Sequence, residues 1–210
     1  MPRSAMPRPA GSVPPRETMP RAEPRIGASR LADGARVTVR AACPSDAGRV
    51  QDYVRALSPS SRYDRFLAPI NELSPAELAR IGGGETQATL IAETKVAGAR
   101  IVIGEARCAA VDGVTCEIAL SVADAWRGRG LGTLFMDHLE CRARKLGANM
   151  LVGDVLRSNV AMRTLARESC FGLAGVPADA RLVRIVKDIS AAWVGTPCRQ
   201  LMATGLSMAA

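Results

Sequence analysis

"SVADAWRGRGLGTLFMDHL", residues 121–139, decides how the rest of the chain is read. Gly128, Gly130 and Gly132 alternate with Arg129 and Leu131 behind Arg127. The run then passes into apolar residues at helical spacing: Leu131, Leu134, Phe135, His138, Leu139 and Leu146. The segment before it, "VTCEIALSV" (114–122), has the character of a strand. The stretch therefore predicts a strand, a short link and a helix from about Gly130, ended by Gly147. N–H groups at a helix start have no internal acceptor and carry partial positive charge. Glycines let a ligand approach that backbone, consecutive amides form a concave anion site, and Arg127 and Arg129 add full charges. By that reasoning the stretch is a phosphate cradle. A P-loop would need Lys-Ser/Thr after its last glycine, where Thr133 and Leu134 stand. The dinucleotide fingerprint fails too, because the spacing is G-x-G-x-G and no acidic residue follows at its distance.

Working outward, "RVTVRAA" (36–42) reads as a short strand. "CPSDAGRVQDYVRAL" (43–57) reads as a helix capped by Ser45, with Val50, Tyr53, Val54 and Leu57 on one face. "SPSSRYDRFLAPI" (58–70), broken by prolines, is a second short helix or a turn. "LSPAELARIGGG" (73–84) is a helix with Ser74 as cap, Pro75 at its first position, Glu77 closing a capping box and Gly82 to Gly84 ending it. "ATLIAETKVAG" (88–98) and "RIVIGEARCAAV" (100–111) are strands, and the Asp112-Gly113 turn joins the second to 114–122 as an antiparallel meander. "NMLVGDVL" (149–156) is a further strand, "SNVAMRTLARESC" (158–170) a helix entered at Ser158 or Asn159, and "ARLVRIVKDI" (180–189) a last strand. The fold class is α+β: a mixed, mostly antiparallel twisted sheet flanked by helices, with one parallel crossover. The expected organisation is a disordered tail over 1–35, one domain over 36–189 and a C-terminal tail over 190–210.

The hydrophobic fraction of 48% supplies a core, and aromatics at 3% leave it to aliphatic side chains. No window reaches the roughly 18 uninterrupted apolar residues of a membrane span. The net charge of +8 suggests nucleic acid, but residues 1–30 hold six arginines against two glutamates, so half the excess sits in a proline-rich tail. That tail lacks the apolar segment of a secretory signal, and Met6 and Met19 leave open a start placed too far upstream. The six cysteines show no CxxC spacing and no nearby histidines to complete a metal site, which points to reduced cysteines in a cytoplasmic protein without a metal.

"RGRGLG", Arg127 to Gly132, resembles the Q/R-x-x-G-x-G/A loop of the GNAT superfamily of N-acetyltransferases, and the strand before it and the helix, strand and helix after it resemble that family's element order. The resemblance spans roughly residues 36–189. "ALSPSSRYDRFL", "CEIALSV", "AWRGRGLG" and "LVGDVLRSNVAM" are similar to segments of bacterial protein-lysine acetyltransferases. It implies acetyl-CoA as co-substrate, its pyrophosphate held by Arg127, Gly128, Arg129, Gly130, Leu131, Gly132 and Thr133. It implies that a bulge at Leu120, Ser121 and Val122 offers amides to the thioester and its arm, and that Asn159 contacts coenzyme A. As a plain helix start, Asn159 is an N-cap.

Glu117 matches the family position of a general base, directly or through water. A carboxylate in a partly apolar site has its pKa raised and can deprotonate an ammonium; the competing reading is a strand glutamate facing solvent. The tyrosine that many members use as general acid is replaced by Ala166 in "LARESCF", where Cys170 takes the usual glycine position. His138 reads as a core histidine and Trp126 as cover for the loop base. The implied function is direct acetyl transfer to a primary amine, a protein lysine or a small molecule, with a homodimer common in the family. One rival is a non-catalytic acyl-CoA-binding or sensing domain of the same fold. The other is a nucleic-acid binder using the arginine tail, which the scarcity of stacking aromatics disfavours.

Overall fold

A computed structural model describes residues 28–190, so residues 1–27 of the expected 1–35 tail and all but the first residue of the C-terminal one lie outside the described residues. The strands are β1 (Ala28–Arg30), β2 (Arg36–Ala41), β3 (Gln87–Val96), β4 (Ala99–Ala110), β5 (Thr115–Val122), β6 (Met150–Leu156), β7 (Gly172–Gly175) and β8 (Leu182–Asp188). The helices are α1 (Ala47–Ala56), α2 (Pro59–Phe66), α3 (Pro75–Ala79), α4 (Leu131–Lys145) and α5 (Val160–Glu168). All eight strands form one sheet in the order β1-β2-β3-β4-β5-β6-β8-β7. Each pairing in the sheet is antiparallel except β5 with β6, where α4 supplies the crossover that a parallel pair requires.

The sheet carries a core on each face. The larger one gathers Val37, Val39, Leu90, Cys108, Ile118 and Leu151 against Phe135 and Leu139 of α4. The smaller lies under α1, where Val50, Tyr53, Val54 and Leu57 meet Leu73, Ile81 and Ile91. These are the α1 positions expected on one face. A bulge interrupts the pairing of β3 with β4: Ala92 pairs Gly104 and Glu93 pairs Val102, so Ile103 is the extra residue.

Local chemistry accounts for the element ends. Ser74 Oγ accepts the Glu77 N–H and the Glu77 carboxylate accepts the Ser74 N–H at 2.7 Å, the expected capping box of α3. The segment 58–70 resolves into a helix because Ser58 caps it and Pro59 starts it. Ser45 is not the cap of α1: Pro44–Asp46 form a 3₁₀ turn, and the Asp46 carboxylate reaches back to the Cys43 N–H at 2.9 Å. The ordered domain also begins earlier than Arg36, since Ala28 to Arg30 pair with Arg36 to Thr38. β7 was not expected. Its sequence, "GLAG", has little strand propensity and all four residues are exposed; its hydrogen bonds to β8 define it.

Candidate active site

β5 and β6 pair only from Thr115–Met150 to Glu117–Val152 and then part. The gap opens into a cavity of about 520 Å³, walled by β5, the loop after it, the start of α4, β6, α5 and α2. Pairing of β4 with β5 runs unbroken from Ala110–Cys116 to Gly104–Val122. The expected bulge at Leu120 to Val122 is therefore absent from this ladder, and divergence of β6 makes the opening instead. Val114 O accepts from Met150 N, whereas Ala123 N donates to Ile103 O of β4. Backbone groups alternate sides along a strand, so those of Leu120 and Val122 face the gap.

The three glycines have separate reasons to be there. Gly128 and Gly130 sit at φ +68° and +88°, which side-chain-bearing residues rarely adopt, and the space beside each is open. Gly132 lies inside α4, where a Cβ would come within 2.9 Å of Leu165 Cδ2 of α5. The first helical bond of α4 runs from Leu134 N–H to Gly130 O at 3.1 Å, so the amides of Leu131, Gly132 and Thr133 have no intrahelical acceptor. Arg127, Gly128, Gly130, Leu131, Gly132 and Thr133 all line the cavity, as do Leu120, Ser121, Val122 and Asn159.

Arg129 does not line it. Its guanidinium pairs with Asp33 at 2.7 Å and lies 4.8 Å above the ring of Trp126, which itself borders the cavity. Arg129 thus braces the loop from outside, and only Arg127 of the two arginines faces the space. Arg127 Nη2 donates to Ser61 Oγ at 2.7 Å, while Ser61 Oγ donates to Asp124, which also accepts the Ser58 N–H at 3.0 Å. The start of α2 is latched to the glycine loop by this chain. Asn159 Oδ1 accepts the Met162 N–H at 2.9 Å, so this residue caps α5 and borders the cavity at once.

Glu117 is exposed and lies outside the cavity lining, two residues along β5 from Ala119, which is in it. Its surroundings are not the partly apolar pocket expected for a base. The enclosed ionisable groups come from elsewhere. Glu105, fully buried on β4, would be raised by burial alone, but Arg65 and Arg107 hold its carboxyl below the usual range. Arg65 makes two bonds of 3.1 Å to it, and Arg107 Nε lies 2.6 Å from it. Asp64, on the cavity-facing side of α2, has its carboxyl pushed up by burial against the opposing effect of Arg127. Tyr53 Oη lies 2.9 Å from Ser121 Oγ, and burial pushes the phenol well above the ordinary tyrosine range.

Ser61, Asp64, Arg65 and Tyr53 were not singled out as site residues from the sequence. The signal available was spacing: Ser61, Asp64 and Arg65 share one face of α2 at i, i+3 and i+4. His138 is buried on α4 as expected, and burial lowers its pKa to about 4. Ala166, at the position where the family's tyrosine was sought, is fully buried. Among the described residues no His/Cys/Asp/Glu group could hold a metal, and no helix is long and apolar enough to cross a membrane.

Comparison with known proteins agrees with this architecture. An acetyltransferase of Pseudomonas aeruginosa is 33% identical over 138 residues, covering 64% of this chain and 74% of its own. The GNAT domain of S. lividans PAT superposes with a TM-score of 0.69 at 24% identity, over 77% of this chain and 96% of that one. Salmonella typhimurium yncA, solved with its cofactor acetyl-CoA, gives a TM-score of 0.60 at 18% identity, over 77% and 99%. The model of the acetyltransferase (GNAT) family matches residues 59–172, which run from the first residue of α2 through the glycine loop to the start of β7. The chain belongs to the GNAT acetyltransferase family.

Proposed function

We propose that the protein transfers an acetyl group from acetyl-CoA directly to a primary amine, on a protein lysine or a small molecule. The observation that carries this reading is the single cavity joining an anion cradle, Arg127 to Thr133, to a wall of α2 residues on its other side. The cradle amides and Arg127 suit a pyrophosphate. The gap-facing amides of Leu120 and Val122 suit the pantetheine arm and the oxyanion that forms on the thioester carbonyl. Asp64 supplies a negative charge where a cationic acceptor would enter, and Arg65 is already paired with Glu105.

Glu117 is the proposed base. It stands on the strand face that bears Ala119 and Ser121, two residues from Ala119 of the cavity lining, so it takes the ammonium proton through water. Calorimetric titration of acetyl-CoA, desulfo-CoA and ATP tests the first half of the reading; both coenzyme A compounds should bind and ATP should not. Turnover on a panel of a lysine peptide, spermidine and an aryl amine tests the second half. Binding without turnover on that panel would favour a sensing domain over an enzyme. Glu117→Gln should lower kcat by about 10²-fold or more, the usual contribution of a general base. If Asp64→Asn has that effect and Glu117→Gln has none, the base is on α2.

A further inference from the structure

Ala166 leaves the departing sulfur without the family's acid, and the structure offers a substitute of another kind. Tyr53 Oη and Ser121 Oγ are 2.9 Å apart, and either could be the donor by distance alone. Burial decides between them. Tyr53 is 5% exposed, and Ser121 Oγ is the hydrogen-bond partner the structure gives its hydroxyl. If Ser121 donated, the phenol hydrogen would be stranded in the interior, at the desolvation cost of an unmade bond. Tyr53 therefore donates. Ser121 Oγ is then fixed as an acceptor on one side and keeps its own hydrogen for the other. That other side is the cavity, since Ser121 lines it between Leu120 and Val122, whose backbones face the gap.

We propose that Ser121, held by Tyr53, is the hydrogen-bond donor that receives the coenzyme A sulfur as it leaves. The proposal rests on the acetyl-CoA reading above. The amine lone pair forms the C–N bond while the carbonyl π pair moves to oxygen. On collapse that pair re-forms C=O, and the C–S bond breaks with its electrons on sulfur. The proton lost by nitrogen passes to the base and then to solvent. The sulfur departs as thiolate and accepts the Ser121 O–H; the proton stays on oxygen, because a serine hydroxyl is a far weaker acid than a thiol. No general acid is needed, and Tyr53 is a positioning residue that never touches substrate. The charged groups facing the pair are Glu105 on β4, Arg65 on α2 and Arg127 in the loop. Asp64, Asp154 and Glu168 border the rest of the cavity.

A donor aimed at the sulfur stabilises bound thiolate over thiol, which can be read without knowing the acceptor. The experiment titrates CoA and desulfo-CoA into the full chain and into Ser121→Ala, Ser121→Thr and Tyr53→Phe at pH 6.5 and pH 9. In the wild type the ratio of CoA to desulfo-CoA affinity should rise about tenfold over that interval, as a charge-assisted bond to the ionised thiol develops. Ser121→Ala should abolish the rise, with desulfo-CoA affinity in the same variant as the internal reference. Ser121→Thr should keep it and Tyr53→Phe should show part of it. A flat ratio in the wild type, an equal rise in Ser121→Ala, or equal weakening of both ligands would overturn the assignment; the last would make Ser121 merely structural. Failure of desulfo-CoA to bind the wild type is a different result, since it removes the coenzyme A reading itself.

Discussion

On the side of β4 and β5 covered by α4, Ala106, Cys108, Cys116 and Ile118 form an apolar layer with Phe135 and Leu139. The opposite side of the same two strands presents Glu105 to Arg65 and Ser121 to Tyr53. The first arrangement needs only volume and apolarity, so it tolerates exchange among residues of similar size. The second needs specific partners, because each buried polar group that loses one keeps its desolvation cost. The cavity opens where the two sides meet, at the edge where β6 leaves β5. The apolar side gives the site rigidity; the polar side gives it oriented dipoles.

The largest expected effect tests the polar side. Glu105→Ala leaves Arg65 and Arg107 without their shared carboxylate in the interior, at a cost of about 3–5 kcal/mol in chemical denaturation. A loss below about 1 kcal/mol would mean that the two arginines find water or other partners, and the comparison would collapse. Glu105→Gln, which keeps the shape and some hydrogen bonding, should cost less.

Acid tests both sides, in different pH windows. His138 is neutral when folded because burial, with a smaller contribution from Arg142, lowers its pKa to about 4. The unfolded chain takes up that proton near pH 6.5, so stability falls as pH drops from about 6.5 to about 4, by about 3 kcal/mol in all. Glu105 and Glu93 have lowered pKa values, so their contribution is present above the ordinary carboxyl range and is lost only as pH falls through and below it. The acid limb should therefore have two stages, and His138→Gln should remove the upper one. Because His138 is the only histidine, its ring proton resonance reads the pKa directly by NMR. A value near 6.5 would show that water reaches the ring.

Gly104→Ala probes the apolar side without adding charge. The new Cβ would lie 2.7 Å from Phe135 Cε2 and 3.2 Å from Ser121 O, and Phe135 is fully buried with nowhere to move. Overpacking of this kind costs about 1–3 kcal/mol. The Phe135→Leu change should recover part of it if the ring is the obstacle, measured as the coupling in a double-mutant cycle.

What could be read in the sequence follows the same division. The glycine loop was legible because its causes are local: Gly128 and Gly130 answer to their own φ angles and α4 to its own apolar period. Most elements, the capping box at Ser74 and the buried place of His138 were legible for the same reason. The polar side depends on partners far apart in the chain. Tyr53 and Ser121 are 68 positions apart and Arg65 and Glu105 are 40, with no periodicity to connect them. Glu117 shows the converse limit, since a motif match says which strand a residue is on but not how deeply it is enclosed, and Glu117 is exposed. Arg129 reads as a cradle charge by proximity, yet Asp33 and Trp126 draw it outward.

Helix ends show the smallest effect and the same lesson. α4 is followed by Gly147 at φ +84°, whereas α5 is followed by Cys170 at φ +63°, a left-handed position taken by a residue with a Cβ. The cap around Cys170 is complete: Phe171 N–H reaches Ala166 O at 2.8 Å and Cys170 N–H reaches Arg167 O at 3.0 Å. Cys170 thus stands at the family's glycine position and adopts the glycine conformation without the glycine. Two opposing terms act on Cys170→Gly: relief of left-handed strain, about 1–2 kcal/mol, and added freedom of the unfolded chain, about 0.4–1 kcal/mol. The first is larger, so the variant should gain up to about 1 kcal/mol, a rise in Tm of roughly 2–4 °C at this size. Cys170→Ala keeps the Cβ and the strain and should leave Tm unchanged. A gain in Cys170→Ala as well would place the cost in the exposed thiol instead of the backbone.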